Sequence, residues 1–282
     1  MKKIGIVGAG VMGRGLSINL LLNGCEVVLI DNNPDVFEPA LTEIEQGIRF
    51  YPLLNKKLLS SESHEQLMKN ILISDDMNLL SNCEFIIENV TENEEIKKEV
   101  YKQLDKICDK DTCFAVNTSC IPVTKIGSYT YRSDKIIGIH FMNPVPLMEC
   151  SEVIKGWYTS EETINTAKAL LAKMGKECVI VNDMPGFVSN RISHIYMNEA
   201  AYVVQDKVAT PKEVDEIFKR CFSNKMGPLE TIDLIGVDTV VNSLNVLYKN
   251  YHDPKYRVCP LLNMMVNAGK LGRKTKEGFY KY

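Results

Sequence analysis

The chain has 282 residues, of which 45% are hydrophobic and 24% are charged, and its formal net charge is -3. This composition is that of a globular protein with a buried core, and the length predicts two domains. No block of like charges occurs, which argues against a surface for nucleic acid or for an anionic membrane.

No uncharged segment approaches the ~20 residues that a membrane helix needs, and the opening segment MKKIGIVGAGVMG lacks the cleavage site of a signal peptide. The nine cysteines are scattered without a C-x-x-C pair, which is typical of free thiols in a reducing compartment. We therefore predict a cytoplasmic protein without a metal site. Cys120 and Cys150 lie near the motifs described below, but neither has an evident thiolate-stabilising partner, so neither is predicted to be a nucleophile.

Short apolar runs typical of strands alternate with helical patterns through the first two thirds of the chain. The run KIGIV leads through glycines into a helix that ends near Leu22, and EVVLI follows, ending at Asp31. Further strands are predicted at residues 84–89, 113–118, 135–141 and 177–181, with helices at 94–108 and 159–175. Residues 33–70 are a charged helical insertion. This alternation predicts a Rossmann-type, doubly wound α/β domain with a mostly parallel sheet over residues 1–182.

The helix at 94–108 carries Ile96, Val100 and Leu104 at spacings of four, which predicts an amphipathic helix. Lys97 lies among glutamates and is interpreted as part of the solvated face. After residue 182 the pattern becomes helical, and an all-α C-terminal domain is predicted over residues 183–282. Its helices are predicted at 187–205, 211–221, 238–248 and 261–268, the second of them capped by Thr210.

A glycine-rich turn lies between the first strand and the first helix. Gly8, Gly10 and Gly13 form the pattern G-x-G-x-x-G. Gly8 suits the tight turn, Gly10 lets the backbone approach a pyrophosphate, and Gly13 lets helix and strand pack closely. Val11 and Met12 lie at the helix N-terminus, where free N–H groups and a partial positive charge attract phosphates.

Asp31, at the end of the second strand, is placed to accept hydrogen bonds from a ribose diol and to repel a 2′-phosphate. No arginine follows Asp31 to bind a 2′-phosphate, so the pattern favours NAD over NADP. FAD, and a glycine turn that binds no ligand, are the weaker alternatives.

The segment IGIHFMNPVPLMECSEVI, residues 137–154, contains strand-like flanks around two prolines that exclude a helix. If the flanks pair about a turn centred on Pro146, then His140 faces Glu152. A carboxylate beside an imidazole holds one tautomer and stabilises the protonated ring, which suits a general base. A strand histidine with a purely structural role is the alternative.

Several motifs in order resemble the L-3-hydroxyacyl-CoA dehydrogenase family, which includes the bacterial 3-hydroxybutyryl-CoA dehydrogenases. The resemblance spans nearly the whole chain and implies NAD-dependent oxidation of the 3-hydroxyl group of a short 3-hydroxyacyl thioester. It also implies a homodimer formed through the C-terminal domain. The motifs are VGAGVMGRG, NTS, HFMNPVP, PGFVSNR, GPLETIDLIGVDT (227–239) and GRKTKEGFYKY (272–282).

The resemblance implies roles for individual residues. His140 is the base that takes the hydroxyl proton while hydride passes to NAD, and Glu152 orients it. Ser119 and Asn190 hydrogen-bond the reacting oxygen, which implies a site between the domains. The positions implied to contact the cofactor are Glu92, Lys97, Asn117, Ser119, Asn143 and Lys274.

Glu149, Cys150 and Ser151 depart from the family pattern, which commonly reads MKLVE up to the catalytic glutamate. Two alternatives for the substrate therefore stay open. The same chemistry suits a hydroxyacyl group such as glyceryl on an acyl carrier protein, in polyketide or antibiotic biosynthesis, or a free hydroxy acid. An alternative of another class is a non-catalytic NAD-binding relative, against which the retention of the four catalytic residues argues.

Overall fold

The computed structural model describes residues 2–119 and 121–282. Cys120, for which no nucleophilic role is predicted, lies outside the described residues. The chain divides into two compact units, Met1–Met184 and Pro185–Tyr282. Within the described residues, eight cysteines are free thiols. A search of that same part of the chain finds no helix with the length and apolarity required to traverse a bilayer.

The first unit is built around a sheet to which the described residues contribute eight strands. These strands are β1 (Lys3–Val7), β2 (Glu26–Ile30), β3 (Ile71–Ser74), β4 (Phe85–Glu88), β5 (Cys113–Val116), β6 (Ile136–His140), β7 (Cys150–Lys155) and β8 (Glu177–Asn182). Their order is β3-β2-β1-β4-β5-β6-β7-β8, and the described pairings are parallel except for β6 with β7. The chain changes direction across the sheet between β1 and β4, which is where doubly wound sheets bind ligands. The predicted fold class is confirmed.

Helices cover the sheet of the first unit, and several begin at side chains that accept hydrogen bonds from the first turn. Ser63, Asn93 and Ser160 are such N-caps for α3 (His64–Lys69), α4 (Glu94–Ile107) and α6 (Glu161–Lys173), respectively. The helices are α1 (Val11–Leu22), α2 (Phe37–Leu54), α3 (His64–Lys69), α4 (Glu94–Ile107), α5 (Val123–Gly127) and α6 (Glu161–Lys173).

The core of the first unit lies between the sheet and these helices. β4 and β5 are buried along their whole length, and their apolar sequences suit strands that are covered on both faces. Leu16 and Leu20 of α1 and Ile44 of α2 are completely buried. Each such side chain contributes roughly 1.5–3 kcal/mol relative to an exposed position, so the ends of β1 and β4 rest on a rigid base.

The second unit is helical, as predicted, and has its own apolar core. Its helices are α7 (Ser189–Gln205), α8 (Pro211–Cys221), α9 (Pro228–Ile235), α10 (Val237–Tyr251) and α11 (Pro260–Asn267). Thr210 caps α8 through a capping box, which confirms the predicted start of that helix. α9 was not predicted, because the glycines at its two ends, Gly227 and Gly236, give the segment the appearance of a loop.

Two buried aspartates in the second unit hold the C-terminal segment. Asp215 accepts hydrogen bonds from the backbone N–H of Leu229 at 2.9 Å and from the hydroxyl of Tyr280 at 2.7 Å. Asp233 accepts from the backbone N–H of Tyr280 at 2.9 Å and from the hydroxyl of Tyr282 at 3.1 Å. Both carboxylates are 1% exposed, so each depends on these donors for its solvation.

The interpretation of Lys97 as a solvated side chain is wrong. Lys97 is completely buried, together with Tyr101 and Leu104, on the face of α4 that packs against the sheet. Ile96 is instead 46% exposed. The structure explains this reversal, because Ile96 and Val100 line a cavity at the carboxyl ends of β1 and β2. Apolar spacing alone does not distinguish a helix face that packs on the core from one that lines a binding cavity.

Candidate active site

The glycine-rich turn connects β1 to α1. Gly8 has φ = 102°, a conformation that L side chains rarely adopt. A Cβ atom at Gly13 would lie 1.9 Å from the carbonyl oxygen of Gly8, so strand and helix pack too closely for a side chain there. A Cβ at Gly10 would meet no atom within 4 Å. The space beside Gly10 is therefore open to a ligand, as pyrophosphate binding requires.

Beside this turn lies a cavity of about 520 Å³ that fits the adenosine half of a dinucleotide. Gly8, Gly10 and Asp31 form one side of it, and Ile96 and Val100 of α4 form an apolar wall. An apolar wall opposite a carboxylate suits an adenine ring and a ribose diol, respectively. The residues present therefore fit NAD.

Asp31 organises the glycine turn and also faces the cavity. Its Oδ2 accepts a hydrogen bond from the backbone N–H of Ala9 at 2.8 Å, and its Oδ1 accepts one from that of Asn33 at 3.0 Å. A second carboxylate, Asp75, lines the same cavity. The register pairs Ile30 with Ser74, so Asp31 and Asp75 are the next residues along two adjacent strands. This end of the cavity is therefore doubly acidic.

A buried ion pair links the ends of β4 and β5. The Lys97 ammonium donates to the two carboxylate oxygens of Glu88 at 2.8 and 2.9 Å and to the carbonyl oxygen of Asn117 at 3.1 Å. Glu88 also accepts from the backbone N–H of Val90 at 2.6 Å. Burial raises the pKa of the Glu88 carboxyl to about 7, against the opposing effect of Lys97. All three ammonium hydrogens of Lys97 thus have protein acceptors.

Glu92 joins this ion pair to the segment after β5. One of its oxygens lies 3.6 Å from the Lys97 ammonium, and the other accepts hydrogen bonds from the Thr118 hydroxyl and from the backbone N–H of Ser119, the latter at 3.0 Å. Asn117 donates from its amide to Asn89 Oδ1 at 2.8 Å. Glu92, Asn117 and Ser119 therefore lie close together, with Ser119 at the edge nearest β6.

His140 lies between Ser119 and Glu152. Its Nε2 is 3.4 Å from the Ser119 hydroxyl oxygen, and its Nδ1 is 3.3 Å from Glu152 Oε2. The antiparallel register pairs His140 directly with Glu152, which confirms the pairing predicted from the two prolines. Both side chains are largely buried, at 7% exposure each. One ring nitrogen thus faces a carboxylate, and the other faces a hydroxyl at the end of β5.

The turn between β6 and β7 contains Asn143, which is exposed and lines a cavity of about 390 Å³ together with Arg14 and Gln46. The same turn leads into the residues that depart from the family pattern. Glu149 is exposed and lies 3.5 Å from the Lys57 ammonium, whereas Ser151 is buried. The acidic departure is thus directed toward the inserted segment that contains Lys57.

Two of the predicted site residues belong to the second unit. Asn190 is the second residue of α7, and its carbonyl oxygen lies 2.9 Å from Nδ1 of His194. The Lys274 ammonium donates to both carboxylate oxygens of Asp238 at 2.5 Å. Asp238 lies in the first turn of α10, so Lys274 is held against that helix.

Sequence reasoning missed three residues of the first unit that shape these sites. They are Glu88, which pairs with Lys97; Asp75, which lines the cavity beside Asp31; and Lys176, which contacts the turn between His140 and Glu152. For Glu88 a signal was present, because a carboxylate that ends a continuously apolar strand must find a partner. Asp75 follows β3, a strand that was not predicted, and Lys176 lies just after a helix end, where charged residues are ordinary.

Comparison with known proteins gives full-length matches. The chain matches 3-hydroxyacyl-CoA dehydrogenase, NAD binding domain, over residues 3–184, and 3-hydroxyacyl-CoA dehydrogenase, C-terminal domain, over residues 186–282. It is 41% identical over 282 residues to the probable 3-hydroxybutyryl-CoA dehydrogenase of Bacillus subtilis, which covers 100% of this chain and 98% of that protein. It is 37% identical to the 3-hydroxybutyryl-CoA dehydrogenase of Bradyrhizobium diazoefficiens, over 100% of this chain and 96% of that one.

Solved structures give the same result. The chain superposes on the (S)-3-hydroxybutyryl-CoA dehydrogenase of Ralstonia eutropha with a TM-score of 0.93 and 37% sequence identity. That superposition covers 100% of this chain and 99% of the other. The likeness therefore extends through both units.

Proposed function

The chain belongs to the 3-hydroxyacyl-CoA dehydrogenase family, and we propose that it oxidises the 3-hydroxyl group of a short 3-hydroxyacyl-CoA thioester, such as 3-hydroxybutyryl-CoA, to the 3-oxo form. It is an NAD-dependent oxidoreductase that acts on a CH–OH group, as the sequence predicted. The acyl length and the carrier are our inference from the names of its full-length relatives.

The observation that carries the proposed mechanism is the position of His140 between a hydroxyl and a carboxylate. The substrate loses two electrons and two hydrogens. The C3–H bond breaks with its electron pair leaving as hydride, the O–H bond breaks with its proton passing to Nε2 of His140, and a C3=O double bond forms. Bound NAD supplies the acceptor for that hydride.

Each neighbour of His140 has a part in this step. Glu152 holds the imidazole so that Nε2 carries the free lone pair, and it stabilises the imidazolium that forms. The Ser119 hydroxyl, beside Nε2, is placed to donate to the oxygen that becomes the carbonyl. We propose the same donor role for the amide of Asn190.

We propose that the cofactor is held by the glycine turn and by residues at the strand ends. The backbone at Gly10, Val11 and Met12 would receive the pyrophosphate at the start of α1, where no described side chain caps the helix. Asp31 would accept from the ribose hydroxyls. The residues proposed to contact the remaining part of the cofactor are Glu92, Asn117, Asn143 and Lys274. Lys97 is proposed to support this contact from its position beside Glu92.

The second unit is proposed to form the contact of a homodimer. An apolar groove of about 230 Å³ lies between α7 and α8, where Val208 and Ile217 are at least half exposed. Burying such side chains against a second copy would remove apolar surface from water. Sedimentation equilibrium tests this point, and a stable monomer at micromolar concentration contradicts it.

The proposed reaction is tested with purified protein, NAD and 3-hydroxybutyryl-CoA, by following NADH formation. Wild-type protein should form NADH, and His140→Gln should lose at least about a hundredfold in kcat, because general base catalysis contributes on that order. A parallel assay presents the same acyl group and a glyceryl group on an acyl carrier protein. A higher kcat/KM with the carrier-protein thioester than with the CoA thioester would make the acyl carrier protein the proposed carrier instead of CoA. Absence of NADH with every thioester would favour the non-catalytic alternative.

A further inference from the structure

A buried lysine contacts the turn that joins the His140 strand to the Glu152 strand. Lys176 lies in the short loop between α6 and β8. Its ammonium donates to the carbonyl oxygen of Val145 at 2.5 Å and to that of Met148 at 2.6 Å. The side chain is 6% exposed, so these contacts are made out of reach of most of the solvent.

Lys176 is a buried cation. Among residues 2–119 and 121–282, no carboxylate forms an ion pair with it, and its hydrogen-bond acceptors are neutral carbonyls. Burial alone lowers the pKa of its ammonium to about 8. A buried cation costs free energy that two neutral acceptors repay only in part. The position is therefore one where an uncharged side chain would suit stability better.

The two acceptor carbonyls lie on the turn itself. Val145 begins its central 3-10 segment, and Met148 follows that segment just before β7. The opposite side of Val145 packs on α1, where a Cβ at Gly15 would lie 3.3 Å from Val145 Cγ2. The turn is thus held on one side by a helix backbone and on the other by the Lys176 ammonium.

We propose that Lys176 is a positioning residue for the reaction: by holding both ends of the turn, it fixes the spacing of His140 and Glu152 on the strands that the turn connects. The inference rests on the proposed function. It assigns to Lys176 no contact with substrate or cofactor. Its effect passes through the backbone of the turn, so loosening this contact should disturb the catalytic pair before it disturbs cofactor binding. A displacement of even 1 Å at reacting groups is enough to cost about a hundredfold in rate.

The central test compares Lys176→Met, which keeps the length of the side chain, with Lys168→Met on the exposed face of α6. We expect Lys176→Met to lose about tenfold to a hundredfold in kcat, with KM for NAD changed less than about twofold. Lys168→Met should behave as wild type. A kcat for Lys176→Met within about twofold of wild type overturns the proposal, and so does an equal loss in the Lys168 control.

A rescue experiment separates positioning from general damage. Lys176→Ala should regain part of its kcat when n-propylammonium is added, because the free cation can reoccupy the space and donate to the same carbonyls. Sodium chloride at equal ionic strength should not restore activity. If Lys176→Met does not fold, Lys176→Leu replaces it, since it likewise removes the donor to both carbonyls, and the same kcat and KM criteria apply. Rescue that is no better than with sodium chloride counts against the proposal.

A third readout does not depend on the substrate. The NMR resonances of the His140 ring, assigned by their absence in His140→Gln, should shift in Lys176→Met, because the contact of the ring with Glu152 is altered. Unchanged resonances overturn the positioning role. Wild-type protein that forms no NADH from any thioester contradicts the proposed function instead, and the resonances then still decide the role of Lys176.

Discussion

His140 and Glu152 face each other at one position of the β6–β7 hairpin, with Nδ1 of the histidine 3.3 Å from Oε2 of the glutamate. Both groups are largely buried. A charge pair interacts more strongly in a buried site than at the surface. Their separation is therefore a quantity on which the rate of the proposed reaction should depend.

Replacing Glu152 by glutamine should lower kcat by about tenfold to a hundredfold. The imidazolium that forms in the reaction loses the carboxylate that stabilises it. The measurement is initial-rate kinetics with 3-hydroxybutyryl-CoA. A kcat equal to that of wild type would show that the two groups are not coupled.

Alanine at two glycines of the turn should have opposite consequences. Gly13→Ala should lower Tm, because the new Cβ would lie 1.9 Å from the Gly8 carbonyl oxygen. Gly10→Ala should leave Tm near wild type while weakening NAD binding about tenfold or more, because that Cβ meets no protein atom but enters the space of the pyrophosphate. Calorimetry measures Tm, and titration with NAD measures the affinity for NAD, in both variants. Unchanged NAD affinity in Gly10→Ala would contradict the assignment of this space.

Two carboxylates should determine the preference for NAD over NADP. The Asp31→Ser and Asp75→Ser substitutions should each raise the ratio of kcat/KM for NADP to that for NAD by about tenfold, since each removes a charge that repels a 2′-phosphate. Asp76→Asn is the matched control, because Asp76 caps the turn after β3 and is absent from the lining of the cavity. An Asp75→Ser ratio equal to that of the control would restrict the selectivity to Asp31.

Removing the cation from the buried Glu88–Lys97 pair should destabilise the fold by about 3–5 kcal/mol, because Lys97→Met leaves a carboxylate buried without its partner. The double variant Lys97→Met/Glu88→Leu should lose less than the sum of the two single changes. Urea unfolding at several pH values measures this. The deficit of Lys97→Met should shrink as the pH falls from about 8 to about 6, because the pKa of Glu88, already raised to about 7, rises further and the carboxyl takes up a proton.

Lys176 should leave a signature in the pH dependence of stability. Its pKa is lowered in the fold to about 8 from 10.5, so the unfolded chain binds the proton more tightly between these values. The free energy of unfolding of wild type, taken relative to Lys176→Met, should therefore rise between about pH 8 and pH 10, by on the order of 2–3 kcal/mol. Glu149, Glu177 and Lys57 line one cavity together with Lys176, and they are present in both wild type and Lys176→Met. A difference that does not change with pH contradicts the lowered pKa.

The sequence predicted much of the fold, because its strands are short, apolar and separated by helices with recognisable caps. β1, β2, β4 and β5 are buried runs of that kind, and Ser160 caps α6. β3 escaped prediction. Its four residues lie at the edge of the sheet and are partly exposed, so neither alternation nor continuous burial marks them.

The candidate site was predictable only in part. The prolines and the equal spacing about them predicted that His140 would face Glu152, since hairpin register follows from the turn. Lys97 shows the limit of such reasoning. Its neighbours along the chain are charged, but its burial depends on Glu88, which lies nine residues earlier and on another element. Long-range partners of this kind leave no periodic signal in the sequence.

The hydrogen bonds made by Tyr282 have a practical consequence for handling the protein. The hydroxyl of Tyr282 donates to the buried Asp233, and its backbone N–H donates to the carbonyl oxygen of Lys276 at 3.0 Å. An affinity tag or a fluorescent fusion joined directly to Tyr282 would start from a residue that is anchored on both sides. A flexible glycine-serine spacer, or a tag at the opposite terminus, would leave that anchorage intact.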